Sequence, residues 1–304
     1  MKVKISKNRK STMDIRKWIS ALFVFAVVLV VPVFSLLEFG HFFHGSVNSS
    51  RSSVALPVMT QRKVDEVSLP PQLFQEPLIT VTFDDGFESI YKAVMPLLQK
   101  YGIHTTQYIL AGNTDDPNYV SWSQVGQMQE AGHEIACHSM SHPDLTTLDE
   151  VNLDYQLRQC KVELTSRFGV ISDFASPYGS SNPHTLAAVS QYFDSQRNTN
   201  GDPTNGVSDV DVNTVDNFDR FNIIGVTVSH NTKVDDLRKL VDYAKAINGW
   251  LVLTYHQADE GTGSQFGVDP AKLDAQFKFL SQTDVRIVTM HEALQATRLQ
   301  NVEY

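Results

Sequence analysis

The chain has 304 residues, 42% of them hydrophobic and 19% charged, with a formal net charge of −9. That composition excludes a disordered or low-complexity chain, and the length allows one large domain or two small ones. Seven of the 25 Lys and Arg residues but only one of the 34 acids lie in the first 17 positions, so the remainder carries a formal −15, a field that repels a nucleic-acid backbone.

Residues 1–17 form a basic segment, and Trp18 to Leu37 follow without a charge. Twenty helical residues at about 1.5 Å each span roughly the hydrocarbon core of a bilayer. Basic residues before the span place the N-terminus in the cytoplasm and everything downstream outside. The competing reading, a cleaved signal peptide, fits less well: its apolar stretch is shorter and is followed by small residues, whereas "VVPVFSLLEFGHFFHG" is bulky. Residues 38–76 are rich in Ser and Pro and read as a tether, with a short glycosylation-like pattern at Asn48. Residues 77–304 form the folded domain. The expected location is therefore the cell membrane, single-pass, with the domain extracytoplasmic. Cys137 and Cys160 could pair there or stay as separate buried thiols, because the sequence does not supply the distance between them.

Within the domain, short apolar runs alternate with stretches of helical period. Strands are predicted at 78–83, 105–110, 134–137, 173–176, 194–197, 222–228, 250–255 and 286–289. Helices are predicted at 90–101, 122–131, 148–168, 184–192, 234–248 and 270–282, with a last one from His291. Gly102, Gly132, Gly169 and Gly249 follow four of them as helix stops. Eight strands alternating with helices predict an α/β fold, a (β/α) barrel rather than an open doubly wound sheet. No strand is followed by a Gly-rich nucleotide-binding sequence, and no internal repeat is present.

Function in a parallel α/β fold gathers at the C-terminal ends of the strands. Asp84 and Asp85 follow the first predicted strand, His138 and His142 the third, "SPYG" the fourth and His256 the seventh. Two imidazoles four residues apart and one carboxylate suit a divalent cation, Zn2+ above all, with open positions left over. If Asp85 holds the cation, its charge is neutralised, and the adjacent Asp84 is free to act as a general base toward water. His256 faces the same rim and is assigned as general acid. Singly, an Asp-Asp-Gly is commonly a solvated turn and an H-x-x-x-H incidental. Their recurrence at successive strand ends is what singles them out.

In this order these residues resemble the polysaccharide deacetylases of carbohydrate esterase family 4, which contain the NodB homology domain, over residues 77 to 298. "TFDDG" (82–86), "HSMSH" (138–142) and "LTYHQ" (253–257) look like the family's first, second and last motifs. The resemblance implies a distorted (β/α) barrel in which Asp84 is the base, Asp85, His138 and His142 bind the metal, His256 is the acid and the Tyr178 backbone N–H steadies the oxyanion. The substrate it implies is an acetylated polysaccharide, poly-N-acetylglucosamine or peptidoglycan, whose N-acetyl groups are removed. The third motif departs from the family: "ASPYG" has Ala175 where an arginine normally orients the base, a departure shared with deacetylases of β-1,6-linked poly-N-acetylglucosamine. Arg197, at the end of the fifth predicted strand, is either the replacement guanidinium or an ordinary surface arginine. The fourth motif, which supports the catalytic histidine, has no clear counterpart. Trp250 is expected to wall the pocket, and the insert at 198–217 to shape it. Two other readings stay open, a catalytically inactive glycan-binding module of the same fold and a small-molecule amidase.

Overall fold

The computed structural model describes residues 74–201, 207–208, 210–259 and 263–297. The predicted basic segment, the membrane span 18–37, Asn48 and all of the tether before Phe74 lie outside these residues. Among the described residues no helix is long and apolar enough to cross a membrane.

Seven strands, β1 (Leu78–Phe83), β2 (Thr106–Ile109), β3 (Glu134–Cys137), β4 (Asp173–Ala175), β5 (Ser195–Arg197), β6 (Val226–Thr227) and β7 (Trp250–Tyr255), lie parallel in the order β5-β4-β3-β2-β1-β7-β6. The sheet curls, and its two edges meet through isolated parallel bridges, Arg197 to Ile223 and Gly201 to Val226. The sixth predicted strand is therefore shorter than 222–228. Residues 220–225 hydrogen-bond to β5, Gln196 N–H to Arg220 and Asn198 N–H to Ile223, before the chain crosses to β7. The eighth predicted strand is also shortened. As β10 (Arg286–Ile287) it pairs only with Leu78 and Ile79, at the start of β1. Two short strands absent from the prediction, β8 (Gln257–Ala258) and β9 (Gly267–Val268), pair with each other just beyond β7.

Side chains alternate across the strands as a pleat requires. Ile79, Val81 and Phe83 join the layer packed against the helices, whereas Leu78, Tyr108, Ala136, Ala175, Trp250 and Val252 form the enclosed core. Polar groups inside pair across strands: Trp250 Nε1 donates to Thr80 Oγ1 at 2.9 Å, and Thr82 Oγ1 meets Thr254 Oγ1 at 3.3 Å. Phe74 packs edge-on against Trp250 at 5.7 Å, so the domain core already begins there, three residues before the predicted boundary.

The helices α1 (Met95–Tyr101), α2 (Trp122–Glu130), α3 (Glu150–Asp154), α4 (Cys160–Phe168), α5 (Pro183–Val189), α6 (Val234–Ala246), α7 (Pro270–Ser281) and α8 (Met290–Ala296) follow the predicted segments. Two of those segments are interrupted. Residues 90–94 and 155–159 are π-helical turns, the first immediately before Pro96, whose ring a continuous α-helix would drive into the preceding turn. The start of α2 is a capping box between Ser121 and Gln124, legible in the sequence as S-x-x-Q. Cys137 at the end of β3 is disulfide-bonded to Cys160 at the start of α4, with Cα atoms 6.3 Å apart.

Candidate active site

The chain leaves β1 with the Asp84 N–H bonded to Tyr255 O at 2.9 Å. It then turns through positive φ at Asp85 (71°) and Gly86 (72°). The loop after β3 is tight rather than helical and repeats this strain, with φ of 72° at Ser139 and 60° at His142. Tyr178, in the 3-10 turn Pro177–Gly179 after β4, has φ 60°. Four of the six non-glycine residues with positive φ among the described residues thus belong to three loops around one site. Such backbone costs roughly 1–3 kcal/mol per residue and persists where the surroundings over-determine it.

Asp85, His138 and His142 offer one ligand atom each within 4.8 Å of one another. Asp85 Oδ1 lies 3.5 Å from His138 Nε2 and 3.4 Å from His142 Nε2. Two atoms each about 2.0–2.1 Å from a tetrahedral zinc ion stand about 3.3–3.4 Å apart, so the donor set fits a divalent cation. The imidazoles are prepared for that role. His138 Nδ1 donates to the Ala175 carbonyl at 2.8 Å, which leaves Nε2 as the lone pair facing Asp85. Burial pushes His138 down to about 3, against the pull of Asp84, and lowers His142 as well, so both are neutral near pH 7, as metal-binding imidazoles must be. Burial and then the Asp84 charge push Asp85 up to about 7, the repulsion that a cation between Asp85 and the imidazoles relieves.

Asp84 is turned to the other side. Arg197 Nη2 donates to its Oδ1 at 2.5 Å and its Oδ2 at 2.7 Å, and both side chains are almost wholly buried. His256 Nε2 lies 4.0 Å from Asp84 Oδ2. Burial pushes the Asp84 carboxyl up, but the interactions led by the Arg197 charge and hydrogen bond outweigh it, and the group sits below its ordinary range. Burial lowers His256, with Asp84 pulling in the opposite direction. The predicted site residues thus come together: Asp84, Asp85, His138, His142, Arg197 and His256 share one end of the sheet, and the Tyr178 ring packs edge-on to His142 at 4.4 Å.

Arg197 is no surface arginine. It reaches Asp84 from β5, while its guanidinium lies 5.0 Å above the Tyr108 ring and Nη1 donates to Asn198 O at 3.1 Å. Trp250, expected to wall the pocket, lies instead at the opposite end of β7, fully buried against Phe74 and Phe218. A strand of six residues separates its two ends by about 17 Å, which explains the error: Trp250 and His256 are close in sequence but not in space. The insert at 198–217 begins at the site and returns to the far end, where Asn213 pairs with Trp250. Three positions escaped the sequence altogether. Tyr108 sits under Arg197, Phe266 stacks on His256 at 5.0 Å, and Gln156 Oε1 accepts from the N–H groups of Met140 and Ser141, fixing the histidine loop. Only Gln156 left a trace, as a polar residue inside an apolar helical stripe.

Neutral imidazoles and one carboxylate spaced for a cation, beside a second carboxylate pinned by arginine at the strand ends of a parallel sheet, define an α/β domain of hydrolase type. The family model described as Polysaccharide deacetylase matches residues 73–192, and over that stretch the chain is similar to polysaccharide deacetylases. The match contains Asp84, Asp85, His138, His142 and Tyr178 and ends before Arg197 and His256. The chain is similar to a chitin deacetylase of Pestalotiopsis sp, 30% identical over 162 residues, 53% of this chain and 51% of the relative. It is also similar to the poly-beta-1,6-N-acetyl-D-glucosamine N-deacetylase of Staphylococcus aureus, 26% identical over 131 residues, 38% of this chain and 45% of the relative. These matches span about half the length of the curated relatives. Among solved structures, peptidoglycan deacetylase PdaC from Bacillus subtilis shares the fold, with a TM-score of 0.51 at 18% identity over 73% of this chain and 92% of that one.

Proposed function

We propose that the chain is a metal-dependent polysaccharide N-deacetylase, a hydrolase of carbon–nitrogen bonds in linear amides, acting on poly-N-acetylglucosamine or peptidoglycan outside the cytoplasm. The observation that carries this reading is the pairing of two half-sites: a three-residue cation site, and an ionised Asp84 held by Arg197 with His256 4.0 Å away.

Asp85, His138 and His142 would hold the ion, Zn2+ being the best match to the donor set. The ion, when bound, supplies charge that polarises the acetyl carbonyl and makes water a stronger acid. Asp84 then takes the proton of the attacking water. Arg197 keeps that carboxylate oriented and ionised, the task the family gives to an arginine at the position of Ala175. The Tyr178 backbone N–H donates to the oxygen on which negative charge develops. His256 delivers a proton to the amine nitrogen as the carbon–nitrogen bond breaks, releasing acetate and a glucosamine unit.

The membrane span at 18–37, the tether at 38–76 and the extracytoplasmic location belong to the same proposal. The sequence of the first 37 residues and the Cys137–Cys160 disulfide support them. The buried Arg197–Asp84 pair counts against the inactive glycan-binding module, whose main support is the arginine missing at Ala175. Release of acetate from acetylated glycans, lost on chelation, restored by Zn2+ and abolished in Asp84→Asn, is the expected result. Metal binding with no acetate from any glycan would instead favour the small-molecule amidase.

A further inference from the structure

Arg197 starts on β5 and reaches Asp84, at the end of β1, through the inside of the curled sheet. The strands between leave it room. Ala175 on β4 is in register with Arg197, and Ala136 on β3 is in register with Tyr108 on β2. Both alanines face the enclosed core, and a single methyl at each lets the side chains from β5 and β2 meet, with Arg197 Cζ 5.0 Å from the centre of the Tyr108 ring. Arg197 and Tyr108 are fully buried.

The hydrogen bonds of the guanidinium leave its plane free to pivot. One nitrogen, Nη2, serves both Asp84 oxygens, where a fork of two nitrogens would make two parallel bonds of defined geometry. Nη1 donates to the carbonyl of the next residue, Asn198, and Nε has no hydrogen-bond partner among the described residues. The face of Tyr108 is the surface against which the plane comes to rest, and a cation is drawn to an aromatic face most strongly where water is excluded. The Tyr108 hydroxyl has no partner among the described residues either, so the ring rather than the hydroxyl makes the contact.

We propose that Tyr108 is a positioning residue for the deacetylation: its ring holds the Arg197 guanidinium in the orientation that aims the Asp84 carboxylate at the attacking water. Ring, guanidinium and carboxylate then act as one unit. The effect on turnover rests on the deacetylase reading above, whereas the effect on the fold rests on the contact alone.

The test is a double-mutant cycle on the full chain with Zn2+, pairing Tyr108→Leu with Arg197→Met and following both acetate release from N-acetylglucosamine oligomers and the urea midpoint. Tyr108→Leu should lower kcat by about tenfold with KM and zinc affinity little changed. Tyr108→Phe, which keeps a ring face, should recover most of that loss. In the Arg197→Met background, with no guanidinium left to hold, the leucine substitution should cost much less in kcat and in the midpoint alike. Tyr108→Met, a flexible side chain of similar reach, carries the same cycle where the leucine variant does not fold. Equal losses in both backgrounds, a phenylalanine variant as slow as the leucine one, or a change confined to KM would reduce Tyr108 to core packing and overturn the proposal. If even the wild type releases no acetate, the deacetylase reading fails, and the midpoint cycle decides alone whether the ring holds the guanidinium. Non-additive losses would uphold that contact, and additive ones would overturn it.

Discussion

At the residue scale the decisive contact is that of Arg197 with Asp84, buried and made across 113 positions of sequence. The position of Arg197 at a strand end was legible, but its direction was not, because a three-residue strand carries too little alternation to say which side chain points inward. Arg197 also depends on Gly225: a Cβ there would stand 2.7 Å from Arg197 Cδ and 2.5 Å from Asn198 O, so Gly225→Ala should displace the guanidinium. Of the influences on Asp84, burial raises its pKa and Arg197 is the first of those lowering it. Removing the guanidinium in Arg197→Met leaves burial less opposed. The carboxyl then ionises only at higher pH, and the acidic limb of the kcat profile should move to higher pH. Stability should fall by about 3–5 kcal/mol, as for other buried pairs that lose one partner. An acidic limb that stays in place would mean that Asp84 is not the base or that Arg197 does not tune it. Contacts such as Phe266 on His256 and Arg197 over Tyr108 leave no periodic signature, since each joins segments whose meeting is a property of the closed sheet.

At the element scale, strand ends deliver the site and two cross-links hold it. The sequence announced the strands and helices with shifts of a few residues. It gave no sign of the π-turn at 155–159 within the helix predicted at 148–168. Gln156 lies in that turn, where its side chain bonds the 140–141 backbone between His138 and His142. Gln156→Leu would leave two N–H groups without that acceptor, at a cost of about 1–3 kcal/mol each if water does not replace it. We expect it to weaken zinc binding, measured by chelator competition, more than it lowers turnover at saturating zinc. Equal zinc affinity in wild type and variant would show that the loop holds its shape without Gln156. The disulfide braces the same loop from β3, next to His138. Its two cysteines, 23 residues apart, close a loop for which chain entropy predicts about 3 kcal/mol. Cys160→Ser should lose a comparable amount in urea denaturation, and a loss near zero would mean that packing alone keeps β3 and α4 together. Pairing was undecidable from sequence because spacing along the chain does not give the distance between Cα atoms.

Over the whole molecule, the alternation of apolar runs with helical stretches was enough to read a parallel α/β sheet. The far end of that sheet was not legible: every second residue of a strand points inside, and a buried polar residue there looks the same in sequence as an exposed one. Glu134 and Asp173 lie at that end, remote from the strand tips that carry the chemistry. Thr106 Oγ1 and the His291 N–H donate to Glu134 Oε2, at 2.8 and 3.0 Å, and Ser195 Oγ donates to Asp173 Oδ1. Burial first, and Asp173 second, hold the Glu134 carboxyl well above its ordinary range, and Asp173 raises His291 alongside. The folded protein therefore retains a proton that the unfolded chain releases near pH 4.5. By linkage this contribution to stability is complete below that pH and drains away as pH climbs toward the folded pKa, about 1.4 kcal/mol for each unit between the two. Asp84, with its pKa lowered, acts in the opposite sense: its contribution stands in full at neutral pH and is lost only as pH falls through the acid range. Glu134→Gln replaces the retained proton with a permanent amide donor toward Asp173, while its oxygen still accepts from Thr106 and His291. The variant should be more stable than wild type at pH 8 by about 1 kcal/mol or more, and its urea midpoint should fall less between pH 5 and 8. Parallel midpoint curves for the two proteins across that interval would show that Glu134 is ionised in the fold, with its charge balanced by groups other than a shared proton.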